Sequence, residues 1–173
     1  MPTSHFMHDV KAIRERARRH IEEGAVTQGY GADRRAVVAL LNEALATELV
    51  CVLRYRRHYH MAAGFAEFLE HALEEQAHAD RIAERIVQLG GEPDLNPDGL
   101  LSRSHSEYVP GESIDEMIRE DLVAERIAIE SYGEIIRYLA DSDPTTRRLL
   151  EEILAKEEEH ADELAELLRV VGV

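Results

Sequence analysis

The sequence is poor in cysteine, in aromatic residues and in long apolar runs. Its one cysteine, Cys51, excludes an internal disulfide and fits a reducing compartment. No run is apolar and long enough to predict a membrane span, and residues 1–10 lack the apolar centre of a signal peptide. These absences predict a soluble cytoplasmic protein that does not insert into a membrane.

The abundant residues favour helices and give the chain a strong negative charge. Ala, Leu, Ile, Glu and Arg dominate, Trp is absent, and aromatic residues make up only 5% of the chain. A chain of 173 residues with 45% hydrophobic content is expected to form one globular core. The formal net charge of -15 argues against a general nucleic-acid-binding protein and suits a protein that attracts cations.

Hydrophobic periodicity predicts an all-α protein, and no segment shows the alternation typical of a strand. Four long helices are expected at about residues 33–61, 65–89, 113–139 and 143–170. The segment 92–112 is rich in Pro, Gly, Asn, Asp and Ser and is long for a loop in a bundle. The pattern predicts a four-helix bundle in which two antiparallel hairpins are joined by a long crossover.

An extra helix is predicted before the bundle, over residues 9–23. Its polar face carries five basic residues, namely Lys11, Arg14, Arg16, Arg18 and Arg19. We interpret residues 1–32 as an N-terminal helical extension and residues 33–173 as the main domain. The basic face is compatible with DNA, but packing on an acidic neighbour in an oligomer is the favoured interpretation.

A Glu-x-x-His pattern occurs twice, once in the second long helix and once in the fourth. Glu75 and His78 form the first pair, and Glu157 and His160 form the second. Residues three apart lie on the same face of a helix, so each pair presents a carboxylate and an imidazole together. One such pair is common on exposed helices, so a single pair would not identify a metal site.

The other two long helices each place one glutamate inside an apolar stripe, Glu48 in the first and Glu125 in the third. Counted from the hairpin turns, Glu48 lies level with Glu75, and Glu125 lies level with Glu157. Buried carboxylates without partners are costly, so we expect these groups to meet around two divalent cations. Four glutamates and two histidines suit iron or manganese.

These motifs resemble those of the ferritin superfamily, and most closely those of the bacterioferritins. The resemblance rests on residues 41–50, 75–81, 121–125 and 157–160, and it covers roughly residues 33–168. It implies a ferroxidase that oxidises Fe(II) with dioxygen or hydrogen peroxide. It also implies iron storage in a closed homo-oligomeric shell of 12 or 24 subunits.

The resemblance implies a role for each residue of a two-iron centre inside the subunit. The implied catalytic and metal-binding residues are Glu48, Glu75, His78, Glu125, Glu157 and His160. Glu75 and Glu157 would bridge the two irons, and the other Glu and the His of each hairpin would complete one iron. Tyr55 matches a family tyrosine that donates a hydrogen bond or an electron. Gln76 stands where bacterioferritins often have a haem-binding Met, so haem is not expected.

Three alternatives stay open. The same site could use iron or manganese to remove peroxide, the chain could form a DNA-protecting miniferritin, or it could be a helical scaffold without enzymatic activity. Near the site, Tyr132 is interpreted as a packing residue and Cys51 as an apolar filler. His71 is interpreted as a packed or exposed histidine, with a transient iron site as the alternative. Asp80 and Asp162 are weak candidates for hydrogen bonds to the two histidines.

Overall fold

The computed structural model of the protein describes residues 9–171, which form a bundle of long helices without strands. Its helices are α1 (Val10–Ala17), α2 (Arg34–Met61), α3 (Ala66–Gln88), α4 (Leu100–Arg103), α5 (Ile114–Leu139) and α6 (Pro144–Val171). The predicted all-α class is confirmed. The absence of a signal-peptide centre was predicted largely from residues 1–8, which lie outside the described residues.

The four long helices form two hairpins, α2 with α3 and α5 with α6, and contacts between α2 and α5 and between α3 and α6 join them. The first hairpin turns at Ala63 and Gly64, which both have positive φ angles. The crossover between α3 and α5 contains the short helix α4, which the sequence pattern did not predict. The predicted arrangement of two hairpins and a crossover is therefore confirmed.

Side chains at the predicted caps begin three of the long helices. Asp33, Ser113 and Asp143 each accept a hydrogen bond from a backbone N–H in the first turn of α2, α5 and α6 respectively. These bonds satisfy donors that a helix leaves unpaired at its N-terminus. The cap positions set where each helix starts and hence the height of its glutamates along the bundle.

Two apolar clusters fill the bundle on either side of its middle. One cluster combines the first half of α2 with the second half of α3 and includes Leu41, Ile82 and Leu150. The other combines the second half of α2 with the first half of α3 and includes Phe68 and Leu164. The buried polar residues of the predicted site lie between these clusters, which keep bulk water away from both ends of the site.

The N-terminal helix is shorter than the predicted span of residues 9–23. It ends at Ala17, and a separate turn of 3₁₀ helix follows at Ile21–Glu23. No residue of α1 is buried, so this helix adds nothing to the core of the subunit. The segment is joined to the bundle farther on, where the Tyr30 hydroxyl donates to Asp143 Oδ2 at 2.8 Å.

Helix α2 contradicts the expectation that no segment of the chain is long and apolar enough to span a bilayer. By length and composition alone, Arg34–Met61 is apolar enough to do so. In the structure, however, 56% of its most apolar stretch is buried inside the bundle. The buried face also carries the charged residues Glu48 and Arg54. These contacts support a core helix of a soluble protein, and the cytoplasmic location stays a prediction.

Candidate metal centre

The six predicted ligands come together in the middle of the bundle, with every long helix contributing. They are Glu48 from α2, Glu75 and His78 from α3, Glu125 from α5, and Glu157 and His160 from α6. All six are buried, and the most exposed of them, His78, keeps only 6% of its surface accessible. In the folded chain these side chains lie at the same height along the bundle, as their distances from the hairpin turns predicted.

Three carboxylates surround Nδ1 of His78. Oε1 of Glu157 lies 2.8 Å from it, Oε2 of Glu48 lies 3.3 Å away, and Oε2 of Glu75 lies 3.9 Å away. These four side chains can each offer one ligand atom, and the four atoms lie within 4.8 Å of one another. We call this cluster the His78 position.

A second cluster of the same kind surrounds Nδ1 of His160. Oε1 of Glu75 lies 3.2 Å from it, Oε2 of Glu157 lies 3.5 Å away, and Oε1 of Glu125 lies 3.8 Å away. These four residues also offer ligand atoms within 4.8 Å of one another. We call this cluster the His160 position. Glu75 and Glu157 present one oxygen to each position, which is the arrangement expected of bridging carboxylates.

Most of these inward atoms make no hydrogen bond, although the distances between them are short. The buried atoms without a hydrogen-bond partner in the described residues include Glu48 Oε2, Glu75 Oε1, His78 Nδ1, both carboxylate oxygens of Glu157, and His160 Nδ1. Buried polar atoms are normally paired, and each unpaired atom needs an explanation. Ligand atoms that point at a shared centre rather than at one another fit metal coordination.

Two buried tyrosines hold the outer carboxylates of the two positions. The Tyr55 hydroxyl donates to Glu125 Oε1, and the Tyr132 hydroxyl donates to Glu48 Oε1. Tyr132, expected only to pack in the core, therefore also contacts the site. Its spacing was a usable signal, because Tyr132 follows Glu125 by seven residues as Tyr55 follows Glu48.

The outer ring nitrogens of two histidines face partly exposed carboxylates. His160 Nε2 lies 2.6 Å from Glu74 Oε2, and His71 Nε2 lies 2.9 Å from Glu163 Oε2. The rings of His71 and His160 stack at a centroid distance of 4.1 Å. Since a carboxylate can only accept, both rings donate from Nε2. Both glutamates lie outside the apolar stripes, so the sequence pattern did not single out Glu74 and predicted only a solvated face for Glu163.

Other residues near the predicted site take different roles from those expected. Asp80 is exposed and accepts from Gln76 Nε2, Asp162 is also exposed, and neither hydrogen-bonds a histidine within residues 9–171. The expectation that these aspartates orient the histidines is therefore wrong. Cys51 is buried, as expected of a filler, and it accepts a hydrogen bond from Arg54 Nη2 at 3.4 Å.

The crowded carboxylates change the pKa values of the histidines in the metal-free protein. Burial lowers the pKa of His78, but the nearby carboxylates of Glu157 and Glu48 outweigh burial and raise it to about 12. For His160, burial is likewise outweighed by Glu157 and Glu75, and the pKa rises to about 10. Both rings therefore hold a proton at neutral pH until a metal displaces it.

The pKa values of the carboxylates in the centre are shifted in opposite directions. Burial and the charge of Glu75 raise the pKa of Glu48 to about 8. Burial and the charges of Glu75 and Glu157 also raise the pKa of Glu125 well above its usual range. Burial and the charge of Glu48 oppose the ionisation of Glu157, but the two protonated histidines beside it lower its pKa. The metal-free centre thus balances buried negative charge with protons.

The profile of the ferritin-like domain family matches residues 38–171 of the chain. The chain belongs to the ferritin-like family. Bacterioferritin of Desulfovibrio desulfuricans is 31% identical over 140 residues, which cover 76% of this chain and 74% of that protein. Bacterioferritin of Mycobacterium leprae is 34% identical over 143 residues, which cover 79% of this chain and 86% of that protein. The resemblance to bacterioferritins is confirmed.

Two solved structures superpose on this ferritin-like chain. One is the bacterioferritin-related protein from Bacteroides fragilis, described as a dodecameric thioferritin, with 31% identity and a TM-score of 0.78. The match covers 82% of this chain and 89% of that one. Dps from Thermosynechococcus elongatus gives a TM-score of 0.73 at 22% identity, with coverage of 78% and 90%, and supports the fold alone.

Proposed function

We propose that the protein oxidises Fe(II) to Fe(III) at the two metal positions and stores the product as a mineral in an oligomeric shell. Membership of the ferritin-like family, with bacterioferritins among the relatives, supports iron oxidation and storage in general. The observation that carries the specific proposal is the convergence of buried, unpartnered carboxylate and imidazole atoms on two adjacent positions.

The donor set fits two iron ions. Carboxylate oxygens and imidazole nitrogens suit iron, with manganese as the alternative metal, and no cysteine cluster is present to favour zinc. Two divalent cations would balance four carboxylates whose burial is otherwise costly. Each ion would be held by one histidine, by one outer glutamate, and by an oxygen from each of Glu75 and Glu157.

Two Fe(II) ions supply two electrons, which reduce dioxygen to hydrogen peroxide or hydrogen peroxide to water. Glu75 and Glu157 hold the two positions close together, so both electrons can reach one oxidant. Their carboxylates also absorb part of the positive charge gained when Fe(II) becomes Fe(III). Tyr132 holds Glu48 by Oε1 and leaves Oε2 facing the His78 position, and Tyr55 bonds Glu125 Oε1, the oxygen that faces His160.

Storage requires that the subunits assemble into a closed shell. The related protein from Bacteroides fragilis is described as dodecameric, which supports a homo-oligomer for this chain as well. Shells of 12 and of 24 subunits both suit a four-helix subunit of this family. The formal charge of -15 per subunit would raise the local concentration of Fe(II) at a shell surface.

The test is stopped-flow oxidation of about two Fe(II) per subunit, added anaerobically and then mixed with dioxygen or hydrogen peroxide. Ferric products are followed by ultraviolet absorbance. We expect wild-type protein to oxidise iron much faster than buffer, and the Glu75→Ala/Glu157→Ala double variant to match buffer. Light scattering on the same samples gives the subunit number.

A matched control removes two exposed glutamates from the same helices. The Glu84→Ala/Glu158→Ala double variant leaves the centre intact and is expected to oxidise iron at the wild-type rate. If the wild-type protein oxidises Fe(II) no faster than buffer alone, both with dioxygen and with hydrogen peroxide, the ferroxidase proposal is wrong. Rapid loss of peroxide with manganese but not iron would instead favour the peroxide-removing alternative.

A further inference from the structure

A groove on the surface of the bundle, between α2 and α5, takes no part in the metal centre. It has a volume of about 570 Å³, and no residue of α1 lines it. Its apolar lining includes Leu40 of α2 and Ile135 of α5. Tyr138 of α5 also lines it and keeps 55% of its surface exposed. An apolar surface of this kind is typical of a binding site for another protein segment.

Each side of this groove also carries one glutamate, Glu43 on α2 and Glu134 on α5. Both side chains are exposed. Within residues 9–171, Glu43 faces only the ring of His105, at 3.3 Å, and Glu134 forms no ion pair. The groove therefore combines an apolar lining with a negative charge on each side. It fits a segment that is apolar along its middle and basic along both edges.

Helix α1 has this pattern. Val10, Ile13 and Ala17 recur at helical spacing and form one apolar stripe. Arg14 and Arg16 lie on opposite sides of the stripe, and neither makes an ion pair within the described part of the chain. Val10 and Ile13 keep 47% and 46% of their surfaces exposed. The subunit by itself thus leaves the apolar stripe of α1 uncovered.

The groove and α1 also match in length. The groove runs along residues 36–43 of α2 and residues 131–138 of α5, eight residues on each helix. Helix α1 is eight residues long as well. At a rise of about 1.5 Å per residue, each of these segments is about 12 Å long. The whole of α1 can therefore lie along the groove.

The chain that follows α1 is attached to its own subunit, but α1 is not. Glu23 pairs with Arg34 at 3.7 Å, Val26 packs against the apolar core, and the Tyr30 hydroxyl donates to Asp143. With these attachments in place, no residue of α1 is buried and none lies in the groove of its own bundle. Both the helix and the groove are therefore available to a second copy of the chain.

We propose that α1 of one subunit docks in the groove between α2 and α5 of a neighbouring copy, with Arg14 and Arg16 facing Glu43 and Glu134. The inference rests on the proposed assembly into a shell and is independent of iron oxidation. DNA could neutralise the arginines, but its phosphates would leave the apolar stripe in water. The groove accounts for both the charge and the apolar stripe.

Cross-linking between two kinds of subunit tests the contact directly. Subunits with Ile13→Cys and subunits with Ala39→Cys, a groove residue, carry different tags, and the mixed oligomer is purified through both tags. A short bis-maleimide should join the two kinds of subunit into a dimer on a denaturing gel. The same experiment with Ala17→Cys keeps Ile13 in the apolar stripe.

Two controls show whether the groove itself is responsible. Wild type, whose native Cys51 is buried, should give no cross-link. Replacing Ala39→Cys by Glu84→Cys, at an exposed site on α3, should lower the yield by at least about tenfold, because proximity sets the yield.

Reversal of charge tests the predicted ion pairs. With Arg14→Glu/Arg16→Glu added to the subunit that carries Ile13→Cys, the yield should fall by at least about threefold, because two attractions become repulsions. Adding Glu43→Arg/Glu134→Arg to the other subunit should restore most of the yield. A loss of yield without this recovery would contradict the predicted pairing.

Light scattering on the same samples separates failure of this inference from failure of the proposed function. An assembled protein that gives the cross-linked dimer supports the inference. An assembled protein without the cross-link overturns it, as does loss of the cross-link when duplex DNA is added, and both leave the shell intact. A monomeric protein would count against the inference and the proposed shell together.

Discussion

The reciprocal tyrosines are the detail at the residue scale that links the two hairpins most directly. Each comes from the helix of one outer glutamate and bonds the outer glutamate of the opposite helix. The Tyr132 hydroxyl occupies Glu48 Oε1 and leaves Oε2 toward the His78 position, whereas the Tyr55 hydroxyl bonds the Glu125 oxygen that itself faces His160. The tyrosines therefore control how the outer glutamates can bind.

Removal of one hydroxyl should weaken one metal position more than the other. In Tyr132→Phe, Glu48 loses its hydrogen bond, and we expect metal affinity at the His78 position to fall by about 10- to 100-fold. Co(II) titration should show that one of the two equivalents binds more weakly and that the other is unchanged. Tyr55→Phe, the matched variant, should affect the step that involves Glu125. Identical titrations for both variants and wild type would contradict this role.

Metal binding should release protons, because the ligands are protonated in the metal-free centre. His78 and His160 have pKa values of about 12 and 10, so both carry protons at pH 7, and Glu48 with a pKa of about 8 is largely protonated as well. Two bound metals should thus displace about two to three protons per subunit at pH 7. Affinity should rise with pH, most steeply below about 8, where all three groups must lose a proton.

Zn(II) titration in weakly buffered solution with a pH indicator measures this proton release. The Glu75→Ala/Glu157→Ala variant is the control, since it should bind little metal and release few protons. Saturation of wild type with two Zn(II) at pH 7 and release of less than one proton would show that the histidines are neutral before metal binds.

At the scale of the elements, a buried ion network fastens the crossover to the bundle. Asp121 of α5 accepts from Arg54 Nε at 2.8 Å and lies 2.7 Å from His58 Nδ1. Arg54 also donates to the carbonyl of Glu107, and His58 faces the carbonyl of Pro110 in the crossover. Three buried polar residues, Arg54, His58 and Asp121, thereby hold the crossover against the bundle.

Neutralising Asp121 should destabilise the subunit because it leaves Arg54 buried without a counter-charge. Breaking a buried ion pair typically costs about 3–5 kcal/mol, and we expect a loss of this size for Asp121→Asn. Urea unfolding of the metal-free protein, followed by circular dichroism, measures it. Asp115→Asn, in an exposed pair with Arg119 on the same helix, should have a much smaller effect. Equal effects of the two variants would contradict the assigned role of the network.

For the whole molecule, charge is distributed unevenly between the N-terminal segment and the bundle. Residues 10–19 carry five basic residues and one acidic residue, so the rest of the chain is more negative than the overall -15. No residue of the basic helix α1 is buried in the subunit. It therefore lies beside a strongly acidic body that repels DNA.

We expect that the assembled protein does not bind duplex DNA at about 0.15 M salt, because a basic segment this short cannot offset the acidic shell. A gel-shift assay over a range of salt concentrations measures the interaction. The variant in which Lys11, Arg14 and Arg16 are all replaced by Gln is the control and should behave like wild type. A shift at physiological salt that this variant abolishes would favour the DNA-protecting alternative.

Local signals were sufficient for the fold and for the choice of the six candidate ligands. The i, i+3 spacing of Glu75 and His78 places them on one helix face, and cap residues such as Asp33 and Ser113 set where helices start. Distances from the hairpin turns then placed Glu48 level with Glu75. These inferences succeed because helix geometry is regular along the chain. That the six residues bind metal stays a prediction until it is measured.

Contacts between different helices could not be derived in the same way. Glu163 meets His71, Glu74 meets His160, and Tyr132 meets Glu48 only because of the angles and distances at which the helices pack. Periodicity along one helix contains no information about these angles. The primary structure therefore dictated the helices, their order and the level of the inward glutamates. Packing between the helices decided which side chains contact these glutamates and histidines.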